Sequence, residues 1–88
     1  GRLRGLVVTD LGPQNARFGE LTGVVGMEAK SRSAAEFAGF LPEDIITHVS
    51  NRMVRTPDDL FELSAAGQEP PEIRLMRGGT PLRFKLPF

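Results

Sequence analysis

Apolar and polar positions along the chain switch period several times, and each switch marks an element. Residues 4–10, RGLVVTD, are aliphatic and β-branched and run into LGPQN, which predicts a strand followed by a turn. Pro13 to Glu20 predicts one helical turn, with Ala16 and Phe18 turned inward. Residues 22–29, TGVVGMEA, predict a second strand, in which Gly26 signals a bulge or a close backbone approach.

The next stretch, SAAEFAGFLPEDII over residues 33–46, is densely punctuated. Ser33 and Glu36 have the spacing of a capping box, in which the Ser33 oxygen accepts from the Glu36 amide and the Glu36 carboxylate reaches back to the Ser33 amide. Ala34, Phe37 and Ala38 recur at i, i+3 and i+4 and predict the apolar face of a short helix. Gly39 suits the left-handed residue that closes a helix, and Pro42 prevents continuation. DIITHV at 44–49 predicts a strand with Ile45 and Ile46 in a core buried on both faces.

Ser50-Asn51-Arg52 reads as a turn and Met53-Val54 as a short extended pair. Thr56-Pro57-Asp58-Asp59 is the strongest helix start in the chain. Threonine caps, proline takes the first position, and two acids face the positive end of the dipole. Leu60, Leu63 and Ser64 share one face of that helix, and Gly67 stops it. EIRLMR at 72–77 alternates, Gly78-Gly79 predicts a tight hairpin, and residues 80–88 return as an edge strand with prolines near both ends. The element order is β β α β α β β, with no internal repeat.

Composition narrows the function. Eighty-eight residues with 40% hydrophobic content suit one small domain of modest stability. Eleven basic and eleven acidic residues cancel, which argues against general nucleic-acid or anionic-membrane binding. No apolar run approaches the roughly 20 residues of a membrane helix, and no signal peptide is visible. The first residue is Gly1 and not Met, and the expectation is a single domain, residues 1–88, excised from a larger protein.

Candidate chemistry is sparse. The chain has no cysteine and one histidine, His48, so a metal site lacks nitrogen and sulfur partners. Ser31, His48 and Asp44 can be drawn as a triad, but no G-x-S-x-G elbow exists, and Ser33 and Thr56 are better explained as helix caps. No dinucleotide or phosphate-loop glycine pattern is present, and no cofactor is expected. What remains is Leu3-Arg4-Gly5-Leu6, just before the first strand. A glycine flanked by free backbone amides can make an anion-cradling nest, and an extended peptide could add to the strand beside the Thr56–Ala66 helix. The alternative is an ordinary N-terminal strand in a small β-rich core.

The run SRSAAEFAGFLPEDIITHVSNRMVRTPDDL resembles the PDZ-domain consensus through Ala34-Ala35, Ala38-Gly39, Asp44-Ile45-Ile46, Val49, Asn51, Val54 and Leu60. The tail EIRLMRGGTPLRFKL is similar to that module's closing hairpin. The resemblance spans residues 22–86, and residues 3–10 fit as well. With the groove-like strand first, the order resembles the permuted PDZ domains of bacterial HtrA (Deg) serine proteases, most closely the second, C-terminal one.

The resemblance implies an α+β, mainly β fold: five to six strands in a partly open barrel or sandwich capped by two helices. It implies a non-catalytic module that binds C-terminal tails or exposed apolar peptide segments by strand addition, with a protease domain upstream and a periplasmic or envelope location. Leu3, Arg4, Gly5 and Leu6 would fill the carboxylate loop. Leu6, Val7 and Val8 would pair with the peptide backbone, and Leu60, Leu63 and Ser64 would line the side-chain pocket. Ser33, Glu36, Gly39, Asp44 and Thr56 would be structural, with Asp44 accepting from amides of its turn. Arg4 departs from the apolar residue expected there. Either its charge adds attraction, or the groove is degraded and the domain serves as an assembly contact with neighbouring domains or subunits. Glu43 stands where glycine is preferred, which at φ > 0 costs about 1 kcal/mol. Arg32 stands where proline is frequent.

Overall fold

The computed structural model describes all 88 residues. The strands are β1 (Leu6–Asp10), β2 (Val24–Ala29), β3 (Ile45–Val49), β4 (Arg52–Met53), β5 (Glu72–Arg77) and β6 (Thr80–Lys85). The helices are α1 (Ala34–Ala38), between β2 and β3, and α2 (Pro57–Ala65), between β4 and β5. All pairings are antiparallel, in the order β1-β2-β3-β5-β6, with β4 paired to β3 alone. The sheet therefore stays open, with β1 at one edge and β6 at the other.

The core forms under the helices. Val24, Phe40, Ile46, Val49, Val54, Leu60, Ile73, Leu75 and Leu86 make one buried cluster, which Leu3 and Leu6 join from the N-terminal segment. Phe40 meets Phe84 edge-on at 5.5 Å. Ile45 and Ile46 are both buried, as the run of apolar residues implies, but they face opposite sides. Ile46 enters the main core, whereas Ile45 lines up with Val25 and Met76 across three strands on the other face.

Three local expectations are corrected. Residues 13–20 form turns and not a helical turn, and both Ala16 and Phe18 face solvent. Asn15 explains this, because its Oδ1 accepts from the Arg17 amide at 2.8 Å, a local bond that competes with helix. In α1 the buried residue is Ala35, with Ala34 and Ala38 half-buried, while Phe37 is 74% exposed and stacks on Phe88 at 6.1 Å. A helix of five residues makes little more than one turn, so one position sets its inner face. Ser33 does cap α1 by accepting from the Glu36 amide at 3.2 Å, but the Glu36 carboxylate reaches back to the Arg32 amide at 2.9 Å and not to Ser33. The Ser33 amide donates instead to Lys30 O.

Two of the three departures from the resembled consensus, Arg32 and Glu43, fall at left-handed positions. Arg32 has φ 62°, which proline cannot adopt, and Glu43 has φ 73°. Gly39 closes α1 at φ 106°, donating to Ala35 O and Glu36 O. Gly78 and Gly79 both carry positive φ, as a two-residue hairpin between β5 and β6 requires. Beside Gly26, β2 bulges at Met27, and Gly26 pairs with the 43–44 turn by two backbone bonds of 2.7 Å.

Asp44 is 1% exposed and holds this turn together. Its Oδ2 accepts from the Leu41 amide at 2.9 Å, as expected, and from Arg77 Nη2 at 2.9 Å, while its Oδ1 accepts from Arg77 Nε at 2.8 Å. Arg77 Nη2 also donates to Gly39 O at 2.9 Å. The hydrogen bond to Asp44 raises the Arg77 pKa above its ordinary value, outweighing the opposing effect of burial. Removing one partner strands the other. Arg77→Ala is expected to cost about 3 kcal/mol in a urea titration, because it leaves a buried carboxylate without its counter-charge. Arg77→Lys should fall between, since an ammonium cannot reproduce the fork.

Candidate functional site

The outer edge of β1 is the unpaired strand edge that runs beside a helix, α2. Lys30 N donates to Gly5 O at 2.9 Å, so Gly5 faces β2. Backbone direction alternates along an antiparallel strand, which aims the C=O of Leu6 and both groups of Val8 away from the sheet, while the Leu6 N–H is taken by Leu3 O at 3.0 Å. Gly26, opposite Val8, confirms the phase by giving its own groups to the 43–44 turn. Val7 alternates toward β2 and its side chain is exposed, so its backbone is not free for a ligand. Of the expected pairing residues, Leu6 and Val8 therefore present the edge and Val7 does not.

The facing wall comes from α2, whose start is capped as the sequence predicts. Thr56 Oγ1 accepts from the Asp59 amide at 3.1 Å, and Asp59 Oδ2 accepts from the Arg55 amide at 3.0 Å. Between the walls lies a cleft lined by Leu3, Leu6, Phe61, Ser64 and Ala65, with Gly1, Arg2, Arg4 and Gly5 at one end. Leu60 is displaced from its expected role: it is 0% exposed and belongs to the core. Leu63 is half-buried against the core and does not line the cleft either. Phe61, 40% exposed, takes the place expected for Leu60. An exposed aromatic one residue after a core leucine on an amphipathic helix was the available signal.

The 3–6 loop is anchored from behind. Ala35 N donates to Arg4 O at 3.0 Å, so the start of α1 holds the loop in place. Gly5 has φ 91°, and a Cβ there would overlap the Ser33 side chain. Two of the three amides expected to form an anion cradle are engaged: Arg4 N donates to Gly1 O at 3.1 Å and Leu6 N to Leu3 O at 3.0 Å. The Gly5 amide makes no backbone bond. The Arg4 side chain is exposed and forms no ion pair. Leu3 is 3% exposed, so it anchors the loop as much as it walls the cleft.

Ser64 is the unusual wall residue. It is 2% exposed, and its hydroxyl is buried without a hydrogen-bond partner. A larger concavity lies on the other sheet face, floored by Val25, Ile45 and Met76 and rimmed by Gln14, Arg17 and Glu43. It explains how Val25 and Ile45 are buried away from the main core. Elsewhere Asp44 gives both oxygens to Arg77 and Leu41, and His48 Nδ1 lies 2.9 Å from Thr47 Oγ1, so no His–Asp pair forms. No helix is long and apolar enough to cross a membrane.

Two substitutions test this site. Gly5→Ala is expected to lower the unfolding free energy by about 2–4 kcal/mol, combining left-handed strain with overlap on Ser33. The double variant Gly5→Ala/Ser33→Gly should recover the overlap part in the same denaturant titration, since glycine replaces a serine cap for a few tenths of a kcal/mol. Ser64→Ala removes an orphaned hydroxyl from a helix and should raise stability by about 1 kcal/mol, read as a melting point several degrees higher.

No protein-family model and no curated protein sequence matches this chain. Among solved structures it is similar to the crystal structure of the HtrA3 PDZ domain bound to a phage-derived ligand (FGRWV). The two share 23% sequence identity and a TM-score of 0.78, over 93% of this chain and 79% of that one. Six antiparallel strands in one open sheet with two helices, superposing on that domain, give this chain the PDZ fold.

Proposed function

We propose that this chain is a peptide-binding module, and not itself an enzyme, that takes an extended segment antiparallel along β1. The ligand backbone bonds to the Leu6 carbonyl and to the outward groups of Val8, and its last apolar side chain enters the cleft between Leu3, Leu6 and Phe61. The open edge of β1 beside α2 carries this reading. The ligand-bound state of the similar HtrA3 PDZ domain supports it, because that ligand also ends in an apolar residue. With the ordering of a free peptide set against a short contact, affinity falls at about micromolar.

The finer assignment rests on the sequence resemblance. In this proposal the module is the second PDZ domain of a bacterial HtrA-type serine protease of the periplasm or envelope, where it presents substrates or regulates cleavage. A second reading, an assembly contact between protease subunits, is favoured by one observation: Arg4 N and Leu6 N already bond within the loop. Carboxylate capture then has to open those turns or rely on the Gly5 amide and the Arg4 charge.

An NMR titration with peptides ending in a free apolar carboxylate, and with amidated controls, separates the two. The expected result is saturable shifts over Leu3–Val8 and Phe61–Ala65 that weaken on amidation. An absence of shifts there with every peptide rejects the binding module in favour of the assembly contact.

A further inference from the structure

On the sheet face turned away from the core, positive charge gathers in one row. Val49 of β3 and Ile73 and Leu75 of β5 point into the core, so His48 and Arg74 alternate to the opposite face. Arg83 joins them, because its neighbours Leu82 and Phe84 pack on the core. Register sets the three side by side on adjacent strands: His48 pairs with Arg74, and Arg74 with Arg83. Pro81 has no N–H and stands opposite Met76, so that pair is of the non-hydrogen-bonded kind, and Arg74–Arg83, two residues on, has the same phase. Side chains approach most closely in such pairs, and like charges directly opposite destabilise a sheet. The acid that meets them is Glu72, 3.6 Å from Arg74 Nε and 3.8 Å from Arg83 Nε, too far to hydrogen-bond with either. Glu72 is also the register partner of Lys85, so three cations share one carboxylate. Arg74 Nε is buried and makes no hydrogen bond.

We propose that this row is a binding site for a tetrahedral oxyanion, the phosphate or sulfate group of a ligand. A concavity of about 460 Å³ lies there, and its lining includes Thr47, His48, Arg74, Pro81 and Arg83. An anion in it gives both arginines the counter-charge that Glu72 alone divides between them, and their forked donors suit the oxygens of such a group. Part of the geometry is set in advance. Arg74 Nη2 donates to Asn51 Oδ1 at 2.7 Å, which holds the guanidinium from one side. Thr47 Oγ1 donates to Arg74 O at 3.3 Å, and a hydroxyl has one hydrogen, so in its 2.9 Å contact with His48 Nδ1 it accepts. The proton of neutral His48 therefore sits on Nδ1, and Nε2 becomes a donor only when the ring takes a second proton. The groups facing His48 are Arg74 on β5 and Met53 on β4, with Arg83 beyond Arg74 and Glu72 beside it. A bound anion favours that second proton, so binding and proton uptake reinforce one another.

The test titrates inorganic sulfate, whose charge does not change across the histidine range, into the whole chain at an ionic strength held constant with sodium chloride. NMR follows the backbone amides of Arg74 and Arg83 and the His48 ring. Saturable shifts at all three are expected, with affinity about threefold or more higher near about pH 6 than near about pH 8. Arg83→Gln, at an exposed position, should weaken binding by about tenfold, yet melt no lower than the wild type in chloride, because it relieves the like-charge pair. His48→Gln should bind at both pH values with equal affinity. Vesicles of phosphatidylglycerol, set against phosphatidylcholine, identify the source: co-sedimentation that sulfate competes away assigns a lipid headgroup, and its absence beside sulfate binding assigns a soluble ligand. Shifts that never saturate, or that saturate equally in Arg83→Gln, overturn the site, and so does vesicle binding without sulfate binding. A wild-type affinity that is the same at both pH values removes His48 from it. An Arg83→Gln chain that melts lower in chloride overturns the like-charge argument and leaves Arg83 a structural residue.

Discussion

A single buried carboxylate organises much of this small domain. Asp44 sits where α1 has ended, the chain has turned through Pro42, and β3 is about to begin. Its two oxygens bring together the Leu41 amide and the guanidinium of Arg77 at the end of β5. Through Arg77 the same site reaches the Gly39 carbonyl that closes α1. Desolvating a charge is expensive, and the fork of Arg77 and the amide offset that by satisfying both oxygens. The result is a fixed corner joining a helix end, a left-handed turn at Glu43 and two strands. That corner fixes the end of α1 against β3 and β5.

That orientation matters because α1 stands behind the loop that ends the groove. The Ala35 amide holds the Arg4 carbonyl, and the Ser33 side chain occupies the space that only a glycine at position 5 leaves open. The groove is thus built in series: an ion pair sets a helix, the helix sets a loop, and the loop sets the start of β1. Leu3 and Leu6 press that start into the core. The opposite wall is set separately, by Leu60 fixed in the core and by the cap at Thr56.

Much of the fold was legible in the sequence because its punctuation is local. Caps at Ser33 and Thr56, stops at Gly39 and the paired glycines at 78–79 each act within a few residues, and each stands where the chain pattern places it. What failed was whatever depended on distant partners. Helical spacing put Phe37 on an inner face, but a helix of five residues buries only Ala35. On α2 the expected face was Leu60, Leu63 and Ser64; Ser64 does line the cleft, whereas Leu60 lies in the core and Phe61 stands at the cleft beside it. Arg77 gave no local sign that it would reach Asp44, 33 positions away, and Arg2 none that it would reach the end of α2. The loop amides illustrate a subtler limit. Their spacing suits an anion nest, yet two close turns of their own, a choice between two local geometries that composition leaves undecided.

The two borders of the sheet are treated very differently. β6 carries Pro81, Arg83 and Lys85, residues that discourage another chain from pairing with it. β1 carries no proline, lysine or arginine, and both helices pack against it. A sheet able to recruit strands on both sides can propagate from molecule to molecule, as fibres do. With one open side and one guarded side, any such pairing would stop at a single added strand. The domain can therefore leave a reactive backbone ladder permanently open without seeding its own polymerisation.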